Sequence, residues 1–291
     1  MKQLTVISGK GGTGKTSITG SLAILAKNVV VADCDVDAPD LHMLLHPQIM
    51  EKQSFKGSKL AIIDVFKCAK CGLCRKTCRF DAISDDLTVD SIACEGCGVC
   101  ALICPSTAIT LTERVSGNAY ISTIPQGFMS HALLNPGEGN SGKLVTLVRQ
   151  NAKNIAITKK LDVIIIDGSP GIGCPVIASI SGVDAALVVS EPTLSGIHDL
   201  KRVLGLLNHF KVAPFVCINM HDINPDITRQ IQEFCRANNI EVLGLIPYNK
   251  EVTEAMVNGK TIVEYSPESK VSMEIKQMWT KITKVLEVTA N

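Results

Sequence analysis

Gly9-Lys10-Gly11-Gly12-Thr13-Gly14-Lys15-Thr16 is the stretch that decides the fold. It fits G-x-x-x-x-G-K-[ST] and stands between an apolar run, Leu4–Ser8, and a helical pattern, Lys15–Lys27, as that motif requires. The glycines let successive backbone N–H groups curl around phosphate oxygens at the start of a helix. Lys15 adds a positive charge beside the β- and γ-phosphates, and the Thr16 hydroxyl reaches a Mg²⁺ ion. The expected ATP contacts are Gly11, Gly12, Thr13, Gly14, Lys15, Thr16 and Ser17.

Working outward, Val29–Ala32 reads as a second strand, and Val163–Ile166, Ala185–Val189, Phe215–Ile218 and Val242–Ile246 as further ones. Helical patterns at 172–182, 195–209, 226–238 and 249–258 separate them. Short, continuously apolar strands alternating with helices imply an α/β fold, a mostly parallel P-loop NTPase sheet covered on both faces. The segment 116–158 has no clear pattern beyond a helix at Lys143–Ala152.

Residues 60–112 are of another kind. Eight of the chain's 12 cysteines lie between Cys68 and Cys104. A shift of 26 places Asp64, Cys68, Cys71, Gly72, Cys74, Cys78, Ala82 and Ile83 on Asp90, Cys94, Cys97, Gly98, Cys100, Cys104, Ala108 and Ile109. Two copies of a unit too small to bury a core alone are expected to pack about a pseudo-twofold axis. The reading is an inserted α+β module at 59–115 within a nucleotide-binding domain made of 1–58 and 116–291.

Lys10, early in the loop and followed by Gly11 and Gly12, resembles the deviant phosphate loop of the MinD/ParA/nitrogenase-iron-protein superfamily. That resemblance implies a homodimer with ATP at its interface, in which Lys10 reaches the partner's nucleotide. It implies that Asp33 helps organise Mg²⁺ and its waters, and that Asp35 orients or deprotonates the attacking water; Asp37 reads as a turn residue. Val163-Ile164-Ile165-Ile166-Asp167-Gly168-Ser169-Pro170-Gly171 resembles the family's metal-binding strand and switch, which delivers Asp167 to the metal and a glycine toward the γ-phosphate. Asn219, Pro247 and Asn249 match its adenine-binding positions.

Each run of the repeat, Cys68/Cys71/Cys74/Cys78 and Cys94/Cys97/Cys100/Cys104, has the C-x₂-C-x₂-C-x₃-C spacing of bacterial ferredoxins. In that motif the fourth thiolate serves the other cluster. The resemblance therefore assigns Cys68, Cys71, Cys74 and Cys104 to one [4Fe–4S] cluster, and Cys94, Cys97, Cys100 and Cys78 to a second. Zinc would call for two C-x₂-C pairs a dozen or more residues apart. Cys104 precedes Pro105, as the motif has it, whereas Cys78 precedes Arg79.

With 29 basic and 28 acidic residues, net +1, the charge gives no reason to expect nucleic acid or an anionic membrane as the main partner. No apolar stretch approaches a membrane span and Met1 runs almost at once into a strand, so a cytoplasmic protein without stable membrane insertion is expected. Cys174, in a glycine-rich stretch after Asp167, is either a small residue of a tight loop or a transient cluster contact. Gly137–Gly142 fits G-x-G-x-x-G, but Asp162 precedes a strand instead of ending one, so a loop capping the next helix is the better reading. His42 and His46 read as a surface pair, and Cys34, Cys217 and Cys235 as small apolar residues. Apolar positions from Val271 to Leu286 read as a packing helix.

Three functions fit this sequence: an ATPase that gates electron transfer to a redox partner protein, a spatial or scaffolding ATPase whose clusters sense redox state, and an iron–sulfur carrier.

Overall fold

The computed structural model describes residues 1–138 and 141–288. Its elements, in chain order, are β1 (Lys2–Ser8), α1 (Lys15–Ala26), β2 (Val29–Asp33), α2 (His42–Leu45), β3 (Gln48–Phe55), β4 (Ser58–Ile63), α3 (Leu73–Thr77), α4 (Val99–Leu102), β5 (Ile109–Arg114), β6 (Gly117–Ile124), β7 (Gly127–Leu134), α5 (Ser141–Lys159), β8 (Val163–Pro170), α6 (Cys174–Ile180), β9 (Ala185–Ser190), α7 (Leu194–His209), β10 (Ala213–Asn219), α8 (Pro225–Ala237), β11 (Glu241–Ile246), α9 (Glu251–Val257), α10 (Ile262–Tyr265) and α11 (Lys270–Leu286).

The large sheet has the order β11-β10-β9-β1-β8-β2-β7-β6-β3. β1 pairs in parallel with β8 and β9, and β2 with β8 and β7. The apolar runs are buried on both faces: Leu4, Val31, Ile165 and Leu187 on one, and Val30, Ile166 and Val188 on the other, are all wholly inaccessible. Register does functional work here, because Asp33 at the end of β2 is the direct partner of Asp167 on β8. The loop after β1 opens at the carboxyl end of the sheet, where the chain turns one way to β2 and the other to β9, the usual place for a ligand in such sheets.

The sheet is wider than the sequence suggested. β7, β6 and β3 extend it, and all three come from segments without a clear apolar pattern. β3 is an edge strand whose Gln48–Ser54 are exposed, so no alternation is imposed on it. β6 and β7 form a hairpin turned by Pro125 and Gln126. α5 also starts earlier and ends later than expected. In α11, Val271, Ile275, Met278, Trp279, Ile282 and Leu286 are buried in the core while Val285 faces out.

The chain divides into two compact units: Met1–Lys52, Ala119–Ala132 and the residues from Ser141 onward, and Gln53–Asn118 with 133–138 among the described residues. Its 53–118 stretch runs a few residues beyond the 59–115 limits read from the sequence, and 133–138 joins it although the sequence reading gave that segment to the nucleotide-binding domain.

Within the second unit the repeat is visible as geometry. The Asp64 N–H donates to the Ala108 carbonyl at 2.8 Å, and its counterpart 26 residues on, Asp90, donates to Ala82 at 2.8 Å. In the β4–β5 ribbon Ile63 faces Ile109, and their counterparts Val89 and Ile83 form the matching bridge. Left-handed backbone recurs at the same spacing, at Lys70 and Gly96, Gly72 and Gly98, and Asp81 and Thr107. A small core of Ala61, Ala82, Ile83 and Ile109 packs with Cys74 and Cys94.

Candidate functional site

A cavity of about 590 Å³ opens over the loop after β1, lined by Gly11 to Ser17, Asp35, Ser169 and Met256 among others. Gly14 ends the loop with φ 87°, and a Cβ there would lie 2.3 Å from Asn219 Nδ2, so glycine is required on both counts. Asn219 Nδ2 donates to the Thr13 carbonyl at 2.8 Å, bracing the loop from the end of β10.

Lys15 is almost wholly buried. Its ammonium lies 2.9 Å from Asp167 Oδ1 and 3.5 Å from Asp35 Oδ2. Burial works against that charge, but Asp167, Asp35 and Asp33 outweigh it and hold the pKa above the usual lysine value. Burial and the nearby Asp167 carboxylate push the Asp33 carboxyl well up, and burial likewise raises Asp35 against the pull of Lys15. Thr16 Oγ1 donates to Asp167 Oδ2 at 2.9 Å. Asp33 Oδ2 and Thr13 Oγ1 are buried and, among the described residues, without hydrogen-bond partners. An orphaned carboxylate oxygen beside Asp167 and Thr16 is the donor set a hydrated Mg²⁺ satisfies, so these residues fit the ion.

Lys10 is held within its own chain: Nζ lies 2.6 Å from Glu191 Oε1 and donates to Ser195 Oγ at 2.8 Å. Pro247 and Asn249 line a separate cavity with Asp222 and Glu251, where Asn249 Oδ1 accepts from the Glu251 N–H.

Sequence reasoning missed Glu191, Ser195 and Thr19, and gave Ser169 no role of its own within the switch. Thr19, one helical turn beyond Lys15, donates to Asp167 Oδ1 at 2.8 Å, and its i+4 spacing was the available signal. Ser169 donates to the Cys34 carbonyl at 2.8 Å, tying β8 to β2. Cys34 itself is a buried thiol whose pKa burial raises, the inert residue expected.

In the second unit, Cys78, Cys94, Cys97 and Cys100 line one cavity of about 430 Å³ together with Ala82, Ile83 and Val89. Cys68, Cys71, Cys74 and Cys104 line a much narrower cleft with Leu87, Pro105 and Ile109. Backbone donors reach these sulfurs: the Lys70 N–H lies 3.4 Å from Cys68 Sγ and the Ala108 N–H 3.3 Å from Cys104 Sγ. All twelve cysteines are free thiols. Among the described residues no three His, Cys, Asp or Glu side chains converge as ligands of a single metal ion.

Of the weaker signals, Cys174 is exposed, at the start of α6. His46 Nε2 lies 2.7 Å from the Gly259 carbonyl and His42 takes no part in that contact. Gly139 and Asn140 of the G-x-G-x-x-G stretch lie outside the described residues. Among the described residues no helix is long and apolar enough to cross a membrane.

Residues 4–262 match the CobQ/CobB/MinD/ParA nucleotide binding domain. An uncharacterized protein of Methanocaldococcus jannaschii is 35% identical over 291 residues, covering 96% of both chains. A Caenorhabditis elegans protein named as a cytosolic Fe-S cluster assembly factor NUBP1 homolog is 22% identical, over 96% of this chain and 80% of its own. Among solved structures, the Pyrococcus horikoshii septum site-determining protein MinD complexed with Mg-ADP superposes with a TM-score of 0.60 at 17% identity, covering 98% of this chain and 96% of that one. The chain belongs to the CobQ/CobB/MinD/ParA nucleotide-binding family and is a P-loop ATPase of the MinD/ParA type.

Proposed function

We propose that this ATPase couples its nucleotide state to electron transfer from two [4Fe–4S] clusters, held by the module at 59–115, to a partner protein. The observation that carries the reading is the grouping of the eight cysteines. Each cavity is lined by three cysteines of one half and the fourth of the other, the cross-over that two cubanes require. A single ion draws its ligands to one centre, whereas a cubane spreads its four thiolates over four irons. Four thiols around each cavity suit the second donor arrangement.

When bound, the clusters supply one-electron chemistry and Mg²⁺ supplies positive charge beside the phosphates. The chain's own residues do the rest. Backbone N–H groups of Gly11 to Thr16 cradle the phosphates, and Lys15 turns from Asp167 toward them. Asp33, Asp167 and Thr16 would hold the metal and its waters, and Asp35 would orient the attacking water. Asn219 keeps the loop in shape, with Pro247 and Asn249 at the adenine end. Lys10 acts across a homodimer with ATP at the interface. We place this action in the cytoplasm, where reducing conditions keep cysteine thiolates available as cluster ligands.

The test is anaerobic reconstitution followed by reduction of an acceptor with and without ATP. The expected result is that Lys15→Ala keeps the cluster absorbance and loses ATP-dependent reduction. Equal reduction with and without ATP would sink the gating idea.

The assembly-factor relative favours a second reading, cluster delivery. It predicts transfer of iron and sulfide to an apo-acceptor protein, while a gated electron donor retains both through many turnovers.

A further inference from the structure

The two halves of the cysteine module share a backbone, so their side chains can be compared position by position, each half serving as the control for the other. The loop 65–79 carries Lys67, Lys70, Arg75, Lys76 and Arg79 and no acidic residue. Its counterpart, 91–105, has Ala93, Gly96, Ala101, Leu102 and Pro105 at those places and a single charge, Glu95. The second half adopts the same left-handed turns without any of the cations, so folding does not account for them.

These groups face solvent. Lys70, Lys76 and Arg79 are exposed, and among the described residues none of the three is in an ion pair, whereas Lys67 pairs with Asp64 and Arg75 with Asp85. Beside them Phe66 is 97% exposed and Val65 69%. A bare aromatic in the same loop as three exposed cations outside any ion pair has the composition of a docking site, with an apolar anchor and charges that steer approach.

We propose that the loop 65–79 is the docking surface for an acidic redox protein, one that presents carboxylates to Lys70, Lys76 and Arg79 and an apolar contact to Phe66. The inference rests on the electron-transfer reading above. Charge complementarity selects an acidic partner, and the same loop holds Cys68, Cys71, Cys74 and Cys78, so a protein seated there lies against the thiol sets. The twin loop also bares apolar side chains, Ile92 at 78% and Leu102 at 87% exposure, but carries no cation, so the charges are what set loop 65–79 apart.

The experiment uses the full-length reconstituted protein, an acidic flavodoxin and the basic cytochrome c as probes. Binding is measured by calorimetry. In stopped flow, one electron leaves the dithionite-reduced protein for each one-electron reduction of the probe. At low salt the flavodoxin is expected to bind and be reduced faster than at high salt, and Lys76→Glu with Arg79→Glu is expected to cut both on the order of tenfold while favouring cytochrome c. Phe66→Ser is expected to weaken binding at every salt concentration. Iron content and ATPase rate are expected to stay at the wild-type level in these variants. Unchanged flavodoxin binding in the charge variant overturns the proposal. So does a variant that loses only its binding to phosphatidylserine vesicles, since the surface then faces lipid. A protein that takes up no iron defeats the electron-transfer reading, and that failure is seen by iron analysis, separately from the calorimetry.

Discussion

The ammonium of Lys10 and the Glu191 carboxylate of the same chain are 2.6 Å apart, with Lys10 33% and Glu191 16% exposed. If Lys10 serves the partner's nucleotide, this contact competes with dimer formation. A partly exposed pair is worth about 1 kcal/mol and each dimer breaks two of them, so Glu191→Gln should lower the protein concentration for half-dimerisation in ATP by up to about thirty-fold. Lys10→Ala should abolish ATP-dependent dimers. Sedimentation velocity reads both, and weaker dimerisation of Glu191→Gln would show instead that the pair belongs to the active arrangement.

Asn219 braces the phosphate loop through the Thr13 carbonyl. Asn219→Ala leaves that carbonyl without its donor, at a cost of about 1–2 kcal/mol. The expected outcome in steady-state assays is a KM for ATP raised on the order of tenfold with a smaller change in kcat.

Burial, helped by His42, lowers the pKa of His131 to about 4, and its Nε2 lies 2.8 Å from Ser122 Oγ. The folded value lies below the unfolded one of about 6.5, so the unfolded chain binds the extra proton first. Stability is therefore lost as pH falls from about 6.5 toward about 4, with a limiting slope of about 1.4 kcal/mol per pH unit from this group. Urea titrations of His131→Phe against wild type should show the difference shrinking in that window as the wild type weakens.

Cys78 lines the cavity of Cys94, Cys97 and Cys100, and Cys104 the cleft of Cys68, Cys71 and Cys74. Cys78→Ser and Cys104→Ser should each reduce bound iron from about eight to about four per chain, with different clusters lost. Iron analysis and electron paramagnetic resonance of the two variants would distinguish this from the uncrossed pairing, which predicts that each serine removes the cluster of its own half.

The β1–loop–α1 unit was legible because its signal is local: glycines at fixed spacing between an apolar strand and a helix. The pseudo-twofold module was legible for a related reason, since eight identities at one offset place Asp64 and Asp90 in equivalent turns. The sheet edge was not. Gln48–Ser54 of β3 touch no core, so nothing in their order of polarity reports a strand. The Lys10–Glu191 and Asn219–Thr13 contacts join residues far apart in sequence, and such contacts exist only once the sheet has brought β1, β9 and β10 side by side.

The chain leaves β3 at Phe55 and returns on its sheet neighbour β6, and the Ser116 N–H donates to the Phe55 carbonyl at 2.8 Å. Topologically the whole duplicated segment occupies the place of a hairpin turn. A gene could gain or lose it in a single event without altering the order of any strand. By the same token, joining Phe55 to Gly117 through a short Asn-Gly turn should yield a working nucleotide domain stripped of its cysteine-rich passenger.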